Sequence, residues 1–310
     1  MSVTRKISFL QSNIGPILSS INNNTFHKQQ IEDFKKEIEI KLATLDKNKD
    51  LRVFDQDNGG VLRGPKKSRK KYEKFTHSGI DLLCNAKYLE RGRNNQPSEV
   101  PYMRGLFNAR SIGPYDIVAY ETPLMRKQDN KKTPMISGRT VSCDLLGINK
   151  EKKELCCIEV KTVPELRQTF PPYALLEGFA YAVCLDWILK KFPTELANEI
   201  QSCCNDFGIK IHAPHMEGWN VTFAIAAPHN DYFAPYIQKK LNNHSTEWFS
   251  RRLNEITTLE KIIKTYFVGY FVIDQSLSDL EPKVAVDVAR PYFKQPVKLR
   301  QTSTQFKLIK

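Results

Sequence analysis

The segment Thr140–Thr162, TVSCDLLGINKEKKELCCIEVKT, constrains this chain more than any other stretch. Two apolar runs, Thr140–Ile148 and Glu154–Thr162, flank the polar run Asn149-Lys150-Glu151-Lys152-Lys153. Apolar runs on either side of a short polar turn read as a β-hairpin. Side chains alternate along a strand, so Glu159 and Lys161 share a face with Cys157, while Cys156, Ile158 and Val160 point the other way. A hairpin centred between Glu151 and Lys152 sets Asp144 opposite Glu159, at the ~4.5–5.5 Å Cβ separation of directly opposed residues. The register therefore predicts that Asp144, Glu159 and Lys161 converge. The remaining positions of the second strand, Leu155, Cys156, Cys157, Ile158 and Val160, have the character of a buried strand. Charges embedded in such a strand are costly unless paired or used.

The rest of the chain fits a mixed α/β fold around one central sheet. Ile31, Phe34, Ile38, Leu42 and Leu45 recur at helical spacing and predict an amphipathic helix over 28–45. Asp57-Asn58-Gly59-Gly60 and Gly64-Pro65 mark turns, followed by the basic run Lys66–Lys71 and a second helix over 72–91. Leu106–Ile112 and Asp116–Thr122 read as strands split by Gly113-Pro114. An apolar helix is expected over 172–191, between Pro171-Pro172 and Phe192-Pro193. Further helices are expected over 194–206 and 246–264, and strands at Val221–Ala227, Phe267–Ile273 and Val284–Val288. The organisation that follows is a single domain over 1–310, with a helical, basic part at 1–95. The sheet core spans 96–293 and carries the hairpin 140–162, and 294–310 is a basic tail.

Charge narrows the partner. The net charge is +13, concentrated toward the ends. Residues 1–80 hold 16 basic and 9 acidic side chains, and 294–310 hold 5 basic and no acidic ones. A polyanion is the natural partner for such patches, through release of its counterions; a basic solvated surface is the plain alternative. The seven cysteines are odd in number and form no C-x-x-C. Cys143, Cys156, Cys157 and Cys184 lie in apolar runs, where free cysteine behaves as a small hydrophobe. That is reduced, intracellular usage, with neither a zinc site nor a disulfide framework. No signal-peptide core and no continuous 18-residue apolar stretch are seen, so no membrane association is expected and the location is nuclear or cytoplasmic.

Two carboxylates held as close as Asp144 and Glu159 repel unless a cation lies between them. Mg²⁺ or Mn²⁺, which take oxygen ligands, fit that need. A lysine beside such an ion can orient or deprotonate a water, and the ion polarises a phosphoryl oxygen. The arrangement suits hydrolysis of phosphodiesters or pyrophosphates, with Asp144, Glu159 and Lys161 as catalytic residues and Asp144 and Glu159 as metal ligands. A surface hairpin with an exposed Glu-Lys face is the plain alternative.

The pattern Asp144, then Glu159-Val160-Lys161 after 14 intervening residues, resembles the PD-(D/E)xK nuclease superfamily. Met103-Arg104-Gly105-Leu106, Gly113-Pro114-Tyr115, Glu121-Thr122-Pro123, Ser137-Gly138 leading to Cys143-Asp144, and Ile158–Thr162 follow in order. That series is similar to the DXO family of decapping and RNA-surveillance nucleases, over about residues 100–185. The resemblance implies a PD-(D/E)xK-like mixed central sheet flanked by helices. It implies metal-dependent hydrolysis of RNA 5′ ends, a decapping and 5′–3′ exonuclease activity, and a larger 5′ exonuclease as possible partner. It makes Arg104 a substrate-binding residue facing RNA phosphates, Asp144 and Glu159 metal ligands and Lys161 the catalytic lysine.

Two positions depart from the family pattern. Ser142 stands where the family's strand has its first acid, and Leu124–Ile136 contains no glutamate where the family has an acid-bearing helix. Glu121 is one substitute for the lost acid. The helix segment Glu177-Gly178-Phe179-Ala180-Tyr181 resembles the Q-x-x-x-Y helix of RecB-like nucleases, its polar pair at i, i+4 on one face; a core helix with an incidental glutamate is the alternative. Trp187, Trp219 and Trp248 read as core residues rather than base-stacking platforms. Three functions therefore stand: an RNA 5′-end hydrolase, a degenerate relative that binds RNA 5′ ends without cutting, and a RecB-like DNA nuclease. RNA is favoured over DNA.

Overall fold

The computed structural model describes residues 9–47, 106–107, 110–125, 141–162, 170–206, 210, 215–228, 232–235, 244–273, 287–289, 300–302 and 305–307. The expected helix over 72–91, the basic run Lys66–Lys71 and Arg104 lie outside the described residues.

The antiparallel side of the sheet comes first along the chain. β1 (Ser111–Ile112), β2 (Tyr115–Met125), β3 (Val141–Asn149) and β4 (Glu154–Val160) pair in sequence order, each antiparallel to the last. Leu145 pairs with Ile158, Leu146 with Cys157 and Asn149 with Glu154, which is the hairpin register that sequence alternation predicts. The turn is closed locally: Lys153 takes φ 53° and Asn149 Oδ1 accepts from the Lys152 backbone N–H at 3.1 Å.

The chain then crosses the sheet. α3 (Pro171–Lys191) leads through α4 (Pro193–Asp206) to β5 (Asn220–Pro228), which pairs parallel to β4. α5 (Thr246–Ile262) leads to β6 (Phe267–Ile273), parallel to β5, and β7 (Asp287–Ala289) closes that edge antiparallel. Among the described residues these seven strands form one mixed sheet in the order β1-β2-β3-β4-β5-β6-β7. The basic tail contributes a separate pair, β8 (Arg300–Thr302) and β9 (Gln305–Lys307). The fold is thus mixed α/β, as its pattern of elements implies.

α3 is the hub. It packs on β4 and β5 and against α1 (Phe9–Asn22), α2 (Gln29–Lys47) and α5. It is buried nearly all round, from Pro171 to Leu189, and a helix apolar on every side belongs in a core. By length and composition α3 is also apolar enough to cross a membrane, a property the sequence reading missed; its apolarity is accounted for by this packing. It approaches the sheet tightly at Gly178, where a Cβ would lie 2.4 Å from Phe223 Cδ2. Only glycine lets the helix sit that near β5.

Two elements differ from expectation. Leu106–Ile112 is not one strand: Leu106 and Phe107 are helical, and only Ser111–Ile112 pair with β2. Arg110 takes φ 64°, and its N–H turns back to the Phe107 carbonyl, which ends any extended run. α1, with Pro16 inside it, is an element outside the sequence expectations. Leu10, Ile14, Ile17, Leu18 and Ile21 nevertheless form a buried stripe at helical spacing, so tertiary burial outweighs the lost backbone hydrogen bond.

Candidate active site

The site lies at the open end of the β3–β4 hairpin. Continuing the register from Leu145–Ile158 sets Asp144 opposite Glu159. There a side chain replaces the backbone ladder: Asp144 Oδ2 accepts from the Val160 N–H at 2.7 Å, which fixes the carboxylate in place. On the other edge of β4, Glu159 and Val160 pair with Ile225 and Ala226, and the Lys161 N–H donates to the Ala226 carbonyl at 2.9 Å. The backbone carrying Glu159-Val160-Lys161 is therefore held from both sides.

Glu159 and Lys161 are both buried, at 4% and 5% exposure. Their side chains, two positions apart on one face, form an ion pair. Lys161 Nζ also reaches Glu177 Oε2 on α3 at 3.1 Å. One ammonium thus bridges a strand carboxylate and a helix carboxylate. Four residues along α3, Tyr181 completes the group. Burial comes first, then the carboxylates of Glu159, Glu177 and Asp144, in raising its phenol well above the ordinary value, and its hydroxyl hydrogen-bonds Glu177. Tyr181 is thus a neutral phenol within electrostatic reach of all three acids.

The sequence-predicted residues Asp144, Glu159 and Lys161 are brought together. Glu177, through its ion pair with Lys161, and Tyr181 join them. The i, i+4 spacing was the available signal. Glu121 stands at the register position opposite Asp144 on β2, since Tyr120 pairs with Leu145 and Thr122 with Cys143. Beside the acids lies a thiol group: Cys157 is pushed up by burial first, then by Cys143, Cys156 and Cys184. Buried thiols held protonated are structural rather than nucleophilic. The six described cysteines are all free and buried.

A divalent cation is the group whose fit needs testing. Among the described residues no set of three or more His, Cys, Asp or Glu side chains stands ready to hold a metal ion by itself. Mg²⁺ does not require such a cage: it is typically held by one or two carboxylates, its own waters and substrate phosphates. Asp144 and Glu159 supply hard oxygen donors of that kind. Among the described residues, three carboxylates, Asp144, Glu159 and Glu177, gather around the one ammonium of Lys161. Asp144 and Glu159 are the residues that would hold such an ion, with water and substrate completing its shell.

Comparison with protein-family models, curated proteins and solved structures finds no match for this chain.

Proposed function

We propose that this chain is a divalent-metal-dependent nucleic-acid hydrolase of the PD-(D/E)xK type, acting on RNA 5′ ends. One observation carries the reading. Asp144, Glu159, Lys161, Glu177 and Tyr181 gather at the end of one buried hairpin, with more negative than positive charge, in a chain whose net charge is +13. A chain this basic suits a polyanionic partner. The antiparallel β2–β3–β4 unit followed by a crossover helix and a parallel strand supports a sheet of that type.

Bound at Asp144 and Glu159, a divalent ion would polarise the phosphoryl oxygen and lower the pKa of a water. The chain's own residues do the rest. The Val160 N–H orients the Asp144 carboxylate. Lys161 is positioned by Glu159 and Glu177 and presents an ammonium where a water can be oriented toward phosphorus. Tyr181 holds Glu177 in turn. Arg104 grips substrate phosphate, by the sequence resemblance.

A second reading has its own support. Glu177 and Tyr181 beside the carboxylates are the polar helix pair that resembles RecB-like nucleases, and this favours DNA. One assay separates the readings. Substrates are RNAs with 5′-monophosphate, triphosphate, unmethylated-cap and NAD ends, plus single-stranded DNA, each with Mg²⁺ or Mn²⁺, and Lys161→Ala is the control. RNA cleavage lost in the control supports the proposal. Cleavage of DNA alone moves the chain to the RecB-like reading. Binding of RNA without cleavage makes it a 5′-end-binding protein.

A further inference from the structure

A second site lies at the start of α3. A cavity of about 350 Å³ is lined there by Ser19, Asn22, Phe170, Pro172, Trp248 and Arg252, among others. Its aromatic wall is braced. Trp248 stacks on His244 with centroids 3.9 Å apart, and Phe170 meets Trp248 edge-on at 5.2 Å. The Arg252 guanidinium lies 5.7 Å from the Trp248 ring centroid, and its Nη1 pairs with the buried Glu255 at 2.7 Å.

Two buried polar atoms on cavity-lining residues have no hydrogen-bond partner among the described residues. They are the acceptor Asn22 Oδ1 and the donor Arg252 Nε–H. Leaving such atoms unmet costs free energy, and the pair asks for a ligand edge carrying a donor beside an acceptor. The aromatic and proline wall asks for a flat apolar face. A nucleobase offers both features. Glu177 lies seven residues further along α3, about 10 Å at 1.5 Å per residue. That is the span of roughly three bases stacked at ~3.4 Å.

We propose that this cavity binds one unpaired nucleobase of the single-stranded substrate, placed against Trp248 and Phe170 and read on its edge by Asn22 and Arg252. The choice of nucleic acid rests on the hydrolase reading above; the cavity's geometry does not. The sequence alone places Trp248 in the core, whereas it is half-buried and lines this cavity. The test is fluorescence anisotropy of the full chain in EDTA with a labelled six-nucleotide RNA, and with an abasic strand of equal length. Base stacking on an aromatic side chain is worth ~1–3 kcal/mol, so Trp248→Ala should weaken binding to RNA by roughly 5- to 150-fold. Binding to the abasic strand should not change. Trp248→Phe should retain most of the affinity, and Asn22→Ala should lose roughly fivefold. These two variants carry the test where Trp248→Ala does not fold. Equal wild-type affinity for both strands, no wild-type binding, or a folded Trp248→Ala that binds RNA like the wild type overturns the proposal. The assay contains no metal, so the two readings fail separately. Base-dependent binding without cleavage removes the hydrolase alone, and cleavage with base-independent binding removes the pocket alone.

Discussion

Removing the ammonium of Lys161 tests the electrostatics of the site at its centre. Lys161 Nζ pairs with Glu159 and, at 3.1 Å, with Glu177. The lysine and Glu159 side chains are about one-twentieth exposed and Glu177 about one-sixth, so solvent screens these contacts little. Breaking a buried pair by deleting one partner costs about 3–5 kcal/mol, because a buried charge is left uncompensated. For Lys161→Ala in EDTA that is a Tm fall of roughly 6–10 °C at ~2 °C per kcal/mol. The same deletion removes the competitor of an incoming cation. Mn²⁺ should therefore stabilise the variant more than the wild type, following the concentration dependence of any ligand that binds only the folded state. Hydrolysis should be lost even as Mn²⁺ binding improves. Thermal melts of both proteins over a Mn²⁺ series measure this. A fall below about 1 kcal/mol in EDTA, or equal Mn²⁺ stabilisation of the two proteins, would refute the claim that this lysine balances a cation-seeking acidic cluster.

Two other expectations follow from the packing. Gly178→Ala drives a Cβ to within 2.4 Å of Phe223 Cδ2 and 2.7 Å of Cε2; overpacking of this kind costs about 1–3 kcal/mol, and adding Phe223→Leu should recover part of it in urea melts, whereas simple additivity contradicts the contact. Glu255 is fully buried, and burial pushes its carboxyl up to about 7 although Arg252, Asn22 and Arg251 pull it down. A folded value above the ordinary ~4.5 means that ionising Glu255 opposes folding. Its contribution to stability is full below about pH 4.5 and falls by about 3 kcal/mol as pH rises to about 7. Relative to Glu255→Gln, wild-type stability should decline across that window, and parallel pH profiles for the two proteins would contradict the assignment.

The hairpin was legible because two local rules act together. Alternation fixes which side chains share a face, and the position of the polar turn fixes the register, so the Asp144–Glu159 opposition follows from residues 140–162 alone. The sequence could not decide whether Glu177 is a site residue or an incidental acid. That depends on how closely α3 approaches the sheet, which is set by Gly178 against Phe223, 45 positions away. Spacing marked Glu177 and Tyr181 as a pair; only packing shows what the pair faces. α1 carries Pro16, where local propensity argues against a helix, and burial of Ile14, Ile17 and Ile21 overrides it. The false strand at Leu106–Ile112 has the opposite cause. Its apolar pattern is real, but Arg110 adopts a left-handed turn without the glycine that would have announced it. Trp248 is half-buried beside a cavity rather than inside the core, and an aromatic on a helix says nothing of the cavity beside it.

The central claim is that Asp144 and Glu159 act together as the ligands of a catalytic cation. Its most direct test is the Mn²⁺-dependent hydrolysis rate of a 5′-monophosphorylated RNA by wild-type protein, Asp144→Asn and Glu159→Gln, with RNA affinity measured in parallel in EDTA. The account predicts cleavage by the wild type, loss of cleavage in both variants and unchanged affinity in EDTA. Cleavage that survives both substitutions would contradict it.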